Sequence, residues 1–287
     1  MPTAITTCIA CSTEAPVVMY GATELCICPT CGLGWLHPMP TNQERAEHYA
    51  KQYGLQNDIL GNSIQAQMRR WSRLPEQLSL IADIQTLKPA PASVLDVGCD
   101  MGNFLDEIRR YGYSVAGVEP SESARSQAHQ IGLQVFSSIK ELCDDTNTLY
   151  DVVTMHHVLE HVDNPVVTLT ELHSLMAPGG LLLLRVPDFS CFWSKLFKEK
   201  WIWFQPENHS YHFTLRSLLQ VVQKAGFEIR KATSQRPNNY RTMKAQMLSS
   251  HSFSHSMNVT QSFKRAVSPY YQFVTGIELY ILAQKTS

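Results

Sequence analysis

Residues 93–102, Ser-Val-Leu-Asp-Val-Gly-Cys-Asp-Met-Gly, place the tightest constraint on how this 287-residue chain can fold. An apolar run that ends in an acid and enters closely spaced glycines reads as a buried strand feeding a tight turn. Phe104, Leu105 and Ile108 then repeat with helical spacing. Strand, glycine turn and helix in that order bring the backbone of an α/β sheet close to a nucleotide-like ligand, with Gly98 and Gly102 supplying the approach and Asp96 just upstream. The Gly-x-x-x-Gly spacing fails both the Gly-x-Gly-x-x-Gly pattern of a dinucleotide site and the Walker pattern of a triphosphate site. An uncharged bridge in the ligand is therefore expected.

Beyond this turn, apolar runs and helical patterns alternate, the signature of a parallel sheet covered on both faces. Strands are predicted at 114–119, 133–136, 150–155, 181–186, 227–232 and 277–284. One helix is predicted over 163–177, stopped by Pro178-Gly179-Gly180, and another runs from a Thr214 cap to about 225. The fold class is α/β: a Rossmann-like, seven-stranded, mostly parallel sheet with helices on both faces. The segment at about 235–263 is polar and aperiodic and is expected to be a lid or insertion.

The composition is 44% hydrophobic and 17% charged, enough to bury a sizeable core. Lys plus Arg number 24 against 25 Asp plus Glu, so the chain has no general electrostatic footprint for nucleic acid. No apolar run approaches the roughly 18 residues of a membrane span. Residues 1–10 lack a basic start with an apolar core, so a cytoplasmic location and no stable membrane anchor are expected.

Five of the eight cysteines crowd between Cys8 and Cys31. Cys8 and Cys11 form one Cys-x-x-Cys pair and Cys28 and Cys31 a second, the spacing of a zinc ribbon whose four thiolates close a tetrahedral shell. A closed shell leaves no catalytic position, so the zinc is expected to be structural. Cys26 has the wrong separation for a two-residue knuckle and is read as a bystander. The domains expected are a ribbon at 1–40, a helical cap or linker at 41–90 and a ligand-binding domain at 91–287. Within the cap, Thr41 and Glu44 suit a helix start, Tyr49 and Tyr53 follow, and an apolar stripe runs from Ile64 to Ile81.

Asp96, Gly98, Gly102, Glu119, the Asp151-Val-Val strand, His157-Val-Leu-Glu160-His161-Val and Pro178-Gly179-Gly180 fall in the order seen in class I S-adenosylmethionine (SAM) dependent methyltransferases, which this region resembles. The resemblance implies that the turn at Asp96, Gly98, Cys99, Asp100 and Gly102 lines the methionine part of SAM. It implies too that Glu119, followed by Pro120, accepts the ribose hydroxyls, that the adenine edge lies near Ser138 and Ile139, and that His156 borders the pocket. Asp100 stands where many relatives have glycine. Aspartate enters the left-handed region more readily than most residues, so the turn is expected to form with a weaker grip on the methionine end.

Methyl transfer is an in-line displacement, so positioning and exclusion of water do much of the work, and an acceptor hydroxyl needs a base. The segment Trp201-Ile-Trp203-Phe-Gln-Pro206-Glu207-Asn-His209-Ser-Tyr211-His212-Phe-Thr214 resembles the one that small-molecule methyltransferases lay over their acceptor. His209 is the leading base, Glu207 its orienting partner or an alternative base, and His157 a second candidate. Trp201, Trp203 and Tyr211 suit an apolar wall. A ribbon followed by Gly32-Leu-Gly-Trp35 and Pro38, joined to this core, is similar to enzymes that modify sugars and secondary metabolites.

The resulting expectation is O-methylation of a small metabolite, a sugar or natural-product intermediate, with SAM and structural zinc as cofactors. The expected partner is that small acceptor and no nucleic acid, with the ribbon serving as a structural element or a homodimer contact. The alternatives are a nucleic-acid or protein methyltransferase, and a non-catalytic zinc-dependent scaffold on a degenerate SAM core.

Overall fold

The computed structural model describes residues 6–41, 43–44, 77–145, 148–235 and 278–286. The helix beyond Glu44 with Tyr49 and Tyr53, most of the Ile64–Ile81 stripe, and the expected lid lie outside the described residues. The reciprocal bonds that open the Thr41 helix are present: Glu44 N donates to Thr41 Oγ1, and Thr41 N donates to Glu44 Oε2.

The strand that enters the glycine turn is β4 (Ser93–Val97). It lies between β5 (Ser114–Val118) and β7 (Tyr150–His156); β6 (Val135–Phe136) lies beyond β5 and β8 (Met176–Pro187) beyond β7, all parallel. The last strand, β11 (Glu278–Lys285), runs antiparallel between β8 and β10 (Phe227–Gln235). The sheet order is β10-β11-β8-β7-β4-β5-β6, which is the seven-stranded, mostly parallel Rossmann-like sheet expected.

Side chains alternate across a strand, so a wholly apolar strand feeds two cores. In β8, Leu182, Leu184 and Val186 enter one buried cluster while Leu181 and Leu183 enter the other. The second cluster is covered by α1 (77–87) through Leu80, Ile81 and Ile84, and by α2 (Asn103–Arg109) through Phe104, Leu105 and Ile108. The first is covered by α3 (Pro165–Ser174) through Leu169 and Leu172, and by α4 (Leu215–Lys224) through Leu218, Val221 and Val222. Thr214 caps α4 in a reciprocal box with Ser217. Among the described residues no helix is long and apolar enough to cross a membrane.

The β6 strand begins two residues later and β10 ends three residues later than the sequence pattern predicts, and the largest differences surround β8. The helix predicted over 163–177 is shorter, and β8 already begins at Met176. Pairing runs from Tyr150↔Met176 to Val152↔Leu181, so Pro178-Gly179-Gly180 forms a bulge in the strand instead of a stop before it. Gly180 permits this because a Cβ there would press on the backbone oxygens of Ala177 at 2.9 Å and Tyr150 at 3.1 Å.

The cysteine region folds as β1 (Val17–Tyr20), β2 (Thr23–Ile27) and β3 (Gly34–Leu36). Its sheet takes a fourth strand, β9 (Tyr211–His212), from the far side of the sequence. Leu25, Trp35 and the cysteines share one buried cluster with the face of the large sheet covered by α3 and α4.

A Cβ on Gly117 in β5 would lie 2.5 Å from Cys99 Sγ and 2.9 Å from Leu105 Cδ1. Overpacking of this kind costs about 1–3 kcal/mol, so Gly117→Ala is expected to lose that much in denaturant unfolding. Adding Cys99→Ala should recover part of the loss. Strict additivity of the two substitutions would contradict the contact.

Candidate active site

The turn after β4 is built from left-handed residues. Gly98 has φ +76° and Gly102 φ +78°, and a Cβ would overlap Val158 at the first and Leu133 at the second. Asp100 sits at φ +51°, so aspartate does occupy the left-handed position. Its amide donates to Glu119 Oε2 at 3.0 Å while Ser121 N donates to Oε1 at 2.8 Å. The residue that departs from glycine thus anchors the acid after β5 through its backbone. Burial raises the pKa of Glu119, and these two amides oppose the rise. Its oxygens can each accept a second bond, which suits a pair of vicinal hydroxyls.

Asp96 lies buried beside the turn. Burial pushes its carboxyl up to about 7 against the Thr154 hydroxyl, which donates to it at 2.6 Å, and nearby Glu119 and Asp100 add to the rise. Cys99 turns its sulfur inward against Gly117 and its amide to Val118 O, leaving no side chain for a ligand. Pro120 is exposed, and its carbonyl accepts from Arg125. Ser138 Oγ accepts from Glu141 N and caps the helix Ile139–Asp145 after β6.

At the carboxyl end of β7 a second constellation forms. His157, at φ +55°, points Nδ1 at Glu160 Oε1 (3.6 Å) and Nε2 at Glu278 Oε1 (3.2 Å), and stacks on Trp203 with centroids 4.8 Å apart and planes within 3°. Burial alone would lower its pKa; the two carboxylates outweigh burial and raise it to about 10. Burial would raise Glu160, but the ion pair with the His157 imidazolium outweighs it and brings the carboxyl down to about 2. His157 therefore carries its proton at neutral pH and serves as a clamped cation rather than a base.

His209 is deeply buried, and its Nδ1 lies 2.8 Å from Trp203 O. A carbonyl only accepts, so Nδ1 carries the hydrogen and Nε2 the lone pair. Burial lowers its pKa to about 4 against the pull of Glu160, leaving the ring neutral with its Nε2 lone pair unprotonated. His161, whose Nδ1 lies 2.8 Å from Asn208 O, stands edge-on to it. Glu160, His161 and His209 bring their polar atoms within 4.8 Å of one another.

The structure thus brings His157 and His209 together around Glu160. Glu207 is exposed and lines a cleft with His37 and Glu44, so the carboxylate beside His209 is Glu160 and not Glu207. His156 has its Nε2 buried without a hydrogen-bond partner, and burial followed by Arg185 holds its pKa well down. Trp201 and Tyr211 are core residues, and Trp203 alone of the aromatic trio meets His157. Sequence reasoning missed the parts played by Glu160 and Glu278. The acid that opens the apolar run Glu278–Ala283 was the available signal.

The four predicted cysteines converge. Cys8 and Cys31 sulfurs are 3.5 Å apart, Cys11 and Cys28 3.4 Å, and Cys11 and Cys31 3.7 Å. A tetrahedron with about 2.3 Å metal–sulfur bonds has edges of about 3.8 Å, and a disulfide needs about 2.0 Å. Each knuckle closes alike: Ser12 N donates to Cys8 O and Gly32 N to Cys28 O, with both donors at positive φ. Cys26 is buried on β2, outside this cluster.

Comparison with known proteins bears on the family and the fold. A family model described as Methyltransferase domain matches residues 64–232, more than half of the chain. The ubiquinone biosynthesis O-methyltransferase of Xanthomonas axonopodis pv. citri (strain 306) is 34% identical over 105 residues, 34% of this chain and 44% of that protein. The protein of the same name from Nitrosococcus oceani is 30% identical over 154 residues, 49% of this chain and 65% of that one. The chain therefore spans less than two thirds of the length of these relatives.

Among solved structures, a SAM dependent methyltransferase from Archaeoglobus fulgidus superposes with a TM-score of 0.50 at 19% identity, covering 73% of this chain and 94% of that one. The plantazolicin methyltransferase BpumL, in complex with a triazolic desmethylPZN analog and SAH, gives 0.55 at 18% identity, covering 85% and 96%. At these identities the likeness establishes the fold.

The His157 clamp predicts a pH dependence of stability. Its folded pKa, about 10, exceeds the ordinary 6.5, so the clamp's stabilisation is full below about 6.5 and is lost as pH rises through 10. The ring is 26% exposed, which moderates the effect. Denaturant unfolding of His157→Gln from pH 6.5 to 10 should show a smaller decline than the parent; parallel declines would contradict the clamp.

Proposed function

We propose that this chain, which belongs to the methyltransferase-domain family, is a SAM-dependent methyltransferase that methylates a hydroxyl oxygen of a small acceptor, with His209 as general base. The observation that carries this reading is the tautomer of His209, whose Nδ1 hydrogen is committed to Trp203 O, which leaves the lone pair on Nε2 of a ring that lies close beside Glu160.

The glycine turn and Glu119 would hold SAM, which when bound supplies a methyl carbon on a sulfonium. His209 takes the acceptor's hydroxyl proton at Nε2, and Glu160 stabilises the imidazolium that results. Trp203, stacked on the charged His157, presents a flat apolar surface beside these polar groups and limits the access of water. Such a lining suits a ring that bears hydroxyls, the feature shared by sugar and natural-product acceptors. The name of the ubiquinone-biosynthesis relatives supports oxygen as the methylated atom. Balanced charge, −1 overall, supports a small acceptor over nucleic acid. The four cysteines would hold a zinc ion in a closed, structural shell.

Glu119→Ala should weaken SAH binding by calorimetry by more than about tenfold, the scale of one lost hydrogen bond to a charged group. His209→Ala should leave that affinity within about twofold yet lower turnover by about 10²–10⁴. Unchanged turnover in His209→Ala would refute the base assignment; unchanged SAH affinity in Glu119→Ala would refute the cofactor pose.

A further inference from the structure

The ribbon and the acceptor-side segment are stitched together at successive backbone positions. Gly34 pairs with His212 and Trp35 with Tyr211 in the β3–β9 ladder, and Leu36 N donates to Ser210 O at 3.1 Å. Thr214 Oγ1 donates to the carbonyl of Cys31 at 2.7 Å, one of the four converging cysteines. Gly32, next to it, has no room for a side chain against Thr214 Cγ2, which a Cβ would meet at 2.9 Å. Earlier in the same stretch, Tyr20 OH donates to Ser194 O and Ala22 N to Glu199.

On its other side the segment rests on the site. Tyr211 N donates to Glu160 O, Tyr211 OH donates to Asp163 O, and His161 bonds Asn208 O. His209 and Trp203 therefore hang between two supports, the turn after β7 and the cysteine ribbon. The ribbon's buried residues belong to the same cluster as one face of the large sheet, and closure of its four thiolates on a metal is what would stiffen both knuckles.

We propose that the ribbon is the device that positions the 201–214 segment, with Thr214 as the positioning residue, so that metal loading at Cys8, Cys11, Cys28 and Cys31 is coupled to the seating of Trp203 and His209. The inference rests on the acceptor-side reading of that segment. Thr214 performs two separable tasks: its oxygen accepts from Ser217 N as the cap of α4, and its hydroxyl hydrogen goes to Cys31 O. An ionised aspartate can do the first and not the second; serine can do both.

The test uses the full zinc-loaded chain with saturating SAH and compares Thr214→Asp with Thr214→Ser. Amide hydrogen exchange across 201–213 should quicken by about tenfold or more in Thr214→Asp, while β4 and β5 stay protected and SAH affinity stays within about twofold. Thr214→Ser should match the parent, and parent protein stripped of metal by a chelator should show the Thr214→Asp pattern. Protection of 201–213 that survives metal removal would overturn the proposal. So would equal loss of protection across β4 and β5 together with lost SAH affinity, which would make the ribbon a general prop. If exchange responds as expected but methyl transfer in Thr214→Asp is unimpaired, the positioning stands and the acceptor reading of the segment is what fails.

Discussion

A carboxylate that folding strips of water must be met by cations and donors, or its burial becomes prohibitive. Glu160, 1% exposed, sets that demand here. It is answered by the imidazolium of His157, with the polar rings of His161 and His209 close beside it. Meeting it fixes the structure around it. His157 adopts positive φ and sets one ring nitrogen toward Glu160 and the other toward Glu278, the first residue of β11. The antiparallel strand, the end of β7 and the aromatic segment that carries Trp203 are thereby held to one point. Two buried acids share one cation, so this is a site whose charges are set by folding before any ligand arrives.

From that point the dependence runs outward. The carbonyls of Glu160 and Asp163 accept hydrogen bonds from Tyr211, and Tyr211 continues into the ribbon's sheet. The proposed cofactor end is organised separately by the left-handed turn and by Glu119, which is fixed through the amides of Asp100 and Ser121. The carboxyl ends of the strands thus present two separately built groups, a polar turn with Glu119 and an aromatic and imidazole-lined surface, which the proposed function assigns to cofactor and acceptor.

Much of this was legible because it is local. The strand at Ser93, the left-handed tolerance of Asp100, the Thr214 cap and the cysteine spacing each depend on residues within a few positions of one another. Boundaries failed where backbone packing decided them: Gly180 lets Pro178-Gly179-Gly180 bulge inside β8, which no periodicity displays. Partner choice failed for the same kind of reason. Glu207 is two residues from His209 and faces the outer cleft, whereas Glu160, far upstream, lies beside it. Glu278 reaches His157 only because the last strand returns antiparallel along β8.

The central claim is that these two groups face each other across a bound cofactor, and a crystal structure of the full chain with SAH addresses it most directly. The account predicts the ribose hydroxyls within hydrogen-bond distance of Glu119 and the sulfur opening toward Trp203 and His209. A sulfur that opens away from the 201–214 segment, with that segment packed shut against His157, would contradict it.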